Sequence, residues 1–275
     1  MRSTSRTPAL FRAFILAGYF AALLALGVAS SGRLLAQGGE DYDFSNIPIG
    51  STAHTYIAFG GGYLGMVPLM KYDALNHIAS DSLGLASFQG PLILNGGGAF
   101  ISIFIVPNVR MGAYGMSGSK MVEKTITIPS DNAAYKRTFR FSNSVTAVQL
   151  DYVFRVLGNL IVAPGAMIGG VSNTLEETQT KTQDAQFGGL LVGSQTQQNH
   201  YAKITNSSLF YYPAVNVEYS FTKFVMLRAG FGYAGSASIG TWTDGADVDI
   251  QNVPAIRSDG FAVQFGVMVG VFQNF

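Results

Sequence analysis

Gly60-x-Gly62-x-x-Gly65, inside the stretch AFGGGYLG, has the glycine spacing of a dinucleotide-binding turn. That chemistry needs the turn to open a helix whose N-terminus takes the pyrophosphate, with an acidic residue ending the next strand. Here Met66, Val67 and Pro68 follow, and Pro68 removes a backbone donor where the helix would need one. Asp81, at about the right separation, falls in a helix-like segment, so the glycines are expected to serve packing and no cofactor is expected. Two histidines have potential catalytic neighbours: His200 with Ser194, Ser207 and Ser208, and His77 with Asp73 and Asp81. Neither set forms Gly-x-Ser-x-Gly or His-Glu-x-x-His, so no catalytic residue is assigned. Asp244, Asp247 and Asp249 in TDGADVD offer carboxylates to calcium but miss the helix-loop ligand spacing, and an acidic solvated loop is expected in place of a metal site. The chain has no cysteine, which excludes disulfides and thiolate metal sites.

What remains is a set of isolated charges, Arg110, Asp151, Arg155, Glu218 and Arg228, each set among apolar residues, and the segments that carry them alternate. In FAVQFGVMVGVFQNF, residues 261 to 275, one parity holds Phe261, Val263, Phe265, Val267, Val269 and Val271, and the other holds Ala262, Gln264, Gly266, Met268 and Gly270. Side chains of a β-strand alternate between faces, so one face is bulky and apolar while the other mixes small and polar groups. LFYYPAVNVEYSF, VMLRAGFGY and VQLDYVFRV repeat the pattern, with Asn216, Glu218, Arg228, Gln149, Asp151 and Arg155 on the small and polar face. A soluble sandwich would place charge or hydroxyls on its outer face; here that face is greasy. This is the inverted pattern of a barrel whose outside meets lipid and whose inside is narrow and polar.

Composition agrees. Only 12% of the 275 residues are charged, while 33 glycines, 13 tyrosines and 20 phenylalanines favour an aromatic, turn-rich β protein. Residues 1–36 read as a secretory signal peptide: Arg2, Arg6 and Arg12 precede an uncharged run from Ala13 to Ser30, with cleavage expected after residue 29 or 30, or after Ala36. Loss of those arginines turns the formal charge of +1 mildly acidic, against nucleic acid as a partner. Residues 37–51 read as a flexible lead-in, and 52–275 as the barrel domain.

The leader, the alternating strands and the terminal Phe275 together resemble the outer-membrane β-barrels of Gram-negative bacteria, most closely the small OmpA/OmpX type. The resemblance implies outer-membrane lipid as the surroundings, and recognition of the C-terminal strand, ending in Phe275, by the barrel-assembly machinery. An extracellular or envelope protein partner is left open.

The fold expected is all-β: a closed, antiparallel, up-and-down transmembrane barrel of eight strands. Residues 185–198 offer a strand pair that would make ten. Tight turns fall at Pro107-Asn108, Leu157-Gly158-Asn159 and Thr222-Lys223, and long connections near 68–94, 129–134, 183–199 and 242–254, an alternation that puts one end at the periplasm. The first long connection should hold one short helix, capped by Asp73, bearing Leu75, Ile78, Ala79 and Leu83, and stopped by Gly84. Strand parity then aims Arg110, Asp151, Arg155, Glu218 and Arg228 inward near the tight turns as a charge network, with Gln149, Asn216 and Gln264 as lumen hydrogen-bonding groups. Such a network plugs the lumen, leaving a structural or surface-interaction role. The alternatives are a gate or small-anion site in a narrow channel or transporter, a barrel-embedded lipid-modifying enzyme, and a soluble periplasmic barrel holding an apolar ligand.

Overall fold

The computed structural model describes residues 56–129, 132–182, 199–256 and 259–274. The leader, the lead-in, the 185–198 segment and Phe275 lie outside them. The long strands are β1 (Tyr56–Pro68), β2 (Leu94–Ser102), β3 (Val109–Ile128), β4 (Ala133–Tyr152), β6 (Leu160–Lys181), β7 (His200–Ser220), β8 (Val225–Ser238) and β11 (Gly260–Asn274). Each pairs antiparallel with its sequence neighbour, and β11 returns to β1, closing an eight-stranded ring. The short pieces β5 (Phe154–Leu157), β9 (Trp242–Asp244) and β10 (Asp249–Ile250) extend this sheet at its rims. Among the described residues no helix is long and apolar enough to cross a membrane.

The two kinds of connection segregate to opposite ends. Asn108 (φ 62°) and Gly158 (φ 48°) make tight reversals in the left-handed region, where asparagine and glycine are tolerated. The expected polar loop near 242–254 contains a two-rung hairpin instead: β9 pairs with β10, and through Ile204↔Asp244 and Thr205↔Thr243 with β7.

Burial follows parity. Phe59, Tyr63, Met111, Val148, Leu150, Tyr152, Val215, Val217, Tyr219, Leu227, Phe231, Phe261, Val263, Phe265, Val267 and Val269 are exposed on the outside. The opposite face is packed, but not as a polar lumen. Leu64, Met66, Met116, Phe141, Val145, Met167, Val171, Tyr212, Met226 and Met268 are buried in one apolar cluster. Eight strands leave an interior that side chains can fill, and here methionines and aromatics fill its middle. Polar groups are confined to layers above and below.

One such layer is set by repeated triplets. Ser142-Asn143-Ser144, Ser172-Asn173-Thr174 and Thr205-Asn206-Ser207 stand in register on β4, β6 and β7. The asparagines point in: Asn143 Nδ2 donates to Asn173 Oδ1 at 2.7 Å, and Asn206 Nδ2 donates to the Gly240 carbonyl at 3.0 Å. The flanking hydroxyls lie on the outer face, where they replace the apolar residues nearer the tight turns. Beyond this line β3, β4, β6 and β7 run on as a projecting sheet. Its outer face carries the pairs Lys136–Glu123 (2.8 Å) and Arg140–Glu176 (3.8 Å).

The first long connection folds against the inner face of that sheet. Its helix α1 (Asp73–Asn76) continues as a π-helical turn, His77–Ser82, and Gly84 (φ 64°) ends it. Leu75 and Ala79 are buried, with Ile78 and Leu83 packed beside them. Asp73 is not the cap expected: Tyr72 holds that position without a side-chain bond, and Asp73 sits in the first turn, where its charge favours the helix dipole.

Candidate functional site: the ionic crossbar and the covered mouth

Two cross-strand pairs place the interior charges. Arg110 lies opposite Asp151 on β3 and β4, and Glu218 opposite Arg228 on β7 and β8. Each pair shares the inward face, and the two hairpins stand on opposite walls of the ring. Arg110 then spans the lumen. Its Nε and Nη2 donate to Asp151 Oδ2 at 3.0 and 2.9 Å, while Nη1 donates to Glu218 Oε2 at 2.6 Å and Nη2 also donates to Glu218 Oε1. Arg228 lies 3.5 Å from both acids, Nη2 to Asp151 Oδ2 and Nε to Glu218 Oε1, and its Nη1 donates to the Tyr114 hydroxyl at 2.9 Å. The guanidinium of Arg110 also rests on the Phe100 ring, 4.6 Å from its centroid.

Exposure is 1% for Arg110, 3% for Asp151, 0% for Glu218 and 2% for Arg228, so water screens none of these charges. Burying ions is costly unless they are paired and hydrogen-bonded. Two cations and two anions cancel, and Gln149 Nε2 adds a bond to Asp151 Oδ1 at 2.6 Å. The result is a neutral bar across the barrel near its tight-turn end.

Arg155 does not join it. Strand β4 ends at Tyr152, Val153 bonds back to the Asn108 carbonyl, and Arg155 lies in β5, where the register to β6 shifts between Arg155 and Leu157. Inward parity requires an unbroken ladder, and this one breaks past the rim. The side chain is exposed and its Nε donates to the Gly158 carbonyl at 3.2 Å. The spare positive charge behind a small-anion site in the lumen therefore disappears.

Gln149, Asn216 and Gln264 are buried in the layer just inside the bar. Asn216 Nδ2 donates to the Ala163 carbonyl at 3.3 Å, and Gln264 Nε2 faces Met167 Sδ at 4.0 Å. Met167 belongs to the apolar cluster, as do Met226 and Met268, which lie opposite each other on β8 and β11 on the tight-turn side of Arg228.

The other candidate chemistries do not assemble. His200 is exposed at the start of β7, while Ser208 is buried inside and bonds Asn206 Oδ1 at 2.9 Å; Ser194 lies outside the described residues. His77 Nε2 meets Asp81 Oδ2 at 3.5 Å, both largely exposed, a surface pair one helical turn apart. Asp244 accepts from the Ala246 and Val248 backbone at 2.9 Å each, and Asp249 accepts from Thr241, so these carboxylates shape the β9–β10 turn. Among the described residues no three His, Cys, Asp or Glu side chains group as a metal site. Gly62 and Gly98 pair on β1 and β2 within the barrel wall, with no helix following.

Sequence reasoning missed the groups that hold the first long connection. Lys120, Lys124 and Arg137 sit on the inner face of the projecting sheet. Lys120 Nζ donates to the carbonyls of Gln89, Gly90 (2.6 Å) and Pro91 (3.1 Å), and lies 5.4 Å from the Tyr72 ring centroid. Lys124 Nζ donates to the Gly84 carbonyl at 3.2 Å, and Arg137 Nη1 to the Leu83 carbonyl at 2.9 Å. Phe88 stacks on Tyr72 at 6.0 Å and meets Phe139 at 5.8 Å with the rings tilted. Burial raises the Tyr72 phenol above its ordinary pKa. Strand parity alone would have marked the three cations as inward-facing, yet nothing in the sequence pairs them with residues 83–91.

The pairing defines a closed, eight-stranded, antiparallel barrel with a greasy exterior and a packed interior. No protein-family model and no curated protein matches the sequence. The solved structures to which the chain is similar are small outer-membrane β-barrels of Gram-negative bacteria. Ail, the attachment invasion locus protein of Yersinia pestis, solved with the heparin analogue sucrose octasulfate, has a TM-score of 0.39 at 7% identity, covering 80% of this chain and 99% of that one. OprG, an outer membrane protein of Pseudomonas aeruginosa, has a TM-score of 0.33 at 10% identity over 80% of this chain and 94% of its own. Acinetobacter baumannii CarO2 has 0.32 at 10%, covering 78% and 99%. The class stands on this chain's own strand pairing.

Proposed function

We propose that the protein is an outer-membrane barrel with a sealed lumen, serving as an anchored platform whose projecting β3–β4–β6–β7 sheet meets partners outside the cell. The observation that carries this is the exterior belt: more than a dozen large apolar side chains exposed on consecutive strands, with hydroxyls gathering around the asparagine line and the ion pairs Lys136–Glu123 and Arg140–Glu176 lying beyond it. In water that belt would drive association; in a bilayer it is the anchoring surface, and ring closure leaves no strand edge unpaired in lipid.

The sealed lumen follows from two plugs in series, the ionic bar and the methionine-aromatic core. A gate would need a side chain whose removal opens a path. Arg228→Ala is expected to leave single-channel conductance in a planar bilayer at baseline, because Met226 and Met268 on its tight-turn side and Met116 and Phe141 towards the long loops still fill the barrel. Discrete openings in that variant would replace the plug with a gate. Cell fractionation and a heat-dependent gel shift test the membrane reading itself: a chain that stays water-soluble without detergent, or migrates identically boiled and unboiled, is not this kind of barrel.

A further inference from the structure

The inward cations of the projecting sheet are electrostatically unfinished. Lys124 and Arg137 are directly opposite in the β3–β4 register and share a face. Side chains so placed start about 5 Å apart, and like charges there repel. Neither they nor Lys120 has a carboxylate within ion-pair distance among the described residues, although Lys136 and Arg140 on the outer face each have one. Glu177 lies on the same inner face, opposite Phe139, without pairing to them. Their hydrogen bonds go to the carbonyls of the first long connection, and Arg137 Nε and Nη2 also donate to Gln179 Oε1 at 2.8 and 2.6 Å. Carbonyls satisfy donors but cancel no charge. Lys124 is exposed and Arg137 half-buried, so a solute reaches both.

We propose that Lys124 and Arg137 form a binding site for a tetrahedral oxyanion, the phosphate or sulfate group of a soluble ligand entering from the long-loop end. Such a group accepts from an ammonium and a guanidinium at once, replaces neutral-acceptor bonds by charge-assisted ones, and removes the like-charge repulsion. It displaces the Leu83 and Gly84 carbonyls, which have water as an alternative donor, while the Leu83 and Gly84 amides go on closing the helical turn through the Ile78 and Ser80 carbonyls. Phe88, Leu75 and Ala79 keep the rest of the connection seated. A bilayer headgroup is the wrong source, since the site is on the inner face of the sheet and lipid surrounds the outer one. The inference rests on the long-loop end facing outward, as proposed above.

The test uses the full chain in neutral detergent micelles, titrated with inorganic pyrophosphate against sodium chloride of equal ionic strength and followed by calorimetry. Saturable pyrophosphate binding is expected, weakened about tenfold or more in Lys124→Gln/Arg137→Gln, a loss of at least one charge-assisted contact. Lys124→Arg should keep most of the affinity, and Lys136→Gln, which removes a positive charge from the outer face, should leave it unchanged. The gel shift of each variant reports an intact barrel separately, so loss of binding and loss of the fold are distinguishable. Equal weakening by Lys136→Gln, absence of saturation in the wild type, or binding seen only to nanodiscs of phosphorylated lipid would overturn the site.

Discussion

Replacing Arg110 with Leu is expected to lower stability in micelles by about 3–5 kcal/mol, read from the urea midpoint of the heat-shifted form. Arg110 makes the close contacts to both acids, bonding Asp151 and Glu218, whereas Arg228 stands 3.5 Å from each. Without it two carboxylates face each other in a dry interior with one distant cation between them. The cost is that of stranded charge, not of a lost attraction. Removing the whole set together, Arg110→Leu, Asp151→Leu, Glu218→Leu and Arg228→Met, should therefore be far milder than the single change and can even stabilise. If Arg110→Leu proves as mild as a surface substitution, the bar does not hold the barrel.

Gly62→Val should prevent closure, at a cost of roughly 3 kcal/mol or more, and abolish the heat-shifted gel band. A Cβ on Gly62 would run into the Val267 carbonyl and come within 3.0 Å of Met268 Cα, both backbone of the partner strand β11. Backbone cannot swing aside as a side-chain tip can, so the seam between first and last strands would have to open. Gly115 is the control. It faces outward and a Cβ there meets nothing within 4 Å, so Gly115→Val should change stability by less than about 0.5 kcal/mol. Similar losses at both positions would mean that the glycines act through chain flexibility, not through close approach.

The alternation of residues 145–153 and 209–233, and of the last strand, was sufficient to set the class, the count of eight long strands, and the inward aim of Arg110, Asp151, Glu218 and Arg228. The reason is local: a strand has a period of two, and a bulky apolar outer face and a face turned to a narrow interior impose opposite demands on it. The same rule failed at Arg155, because parity says nothing about where a ladder breaks. Nor could periodicity show that Met66, Met116 and Met167 join one buried apolar cluster, since β1, β3 and β6 must close into the ring before their inner faces meet.

What the sequence determined by itself is thus the direction in which each side chain points along a strand. What only the tertiary structure decided is which of them touch across the ring: Arg110 with Glu218 over a separation of 108 residues, three asparagines in one layer, and three cations on the carbonyls of a connection far from them in the chain. Those meetings depend on register and closure, set jointly by all eight strands, and no short stretch of sequence carries that sum.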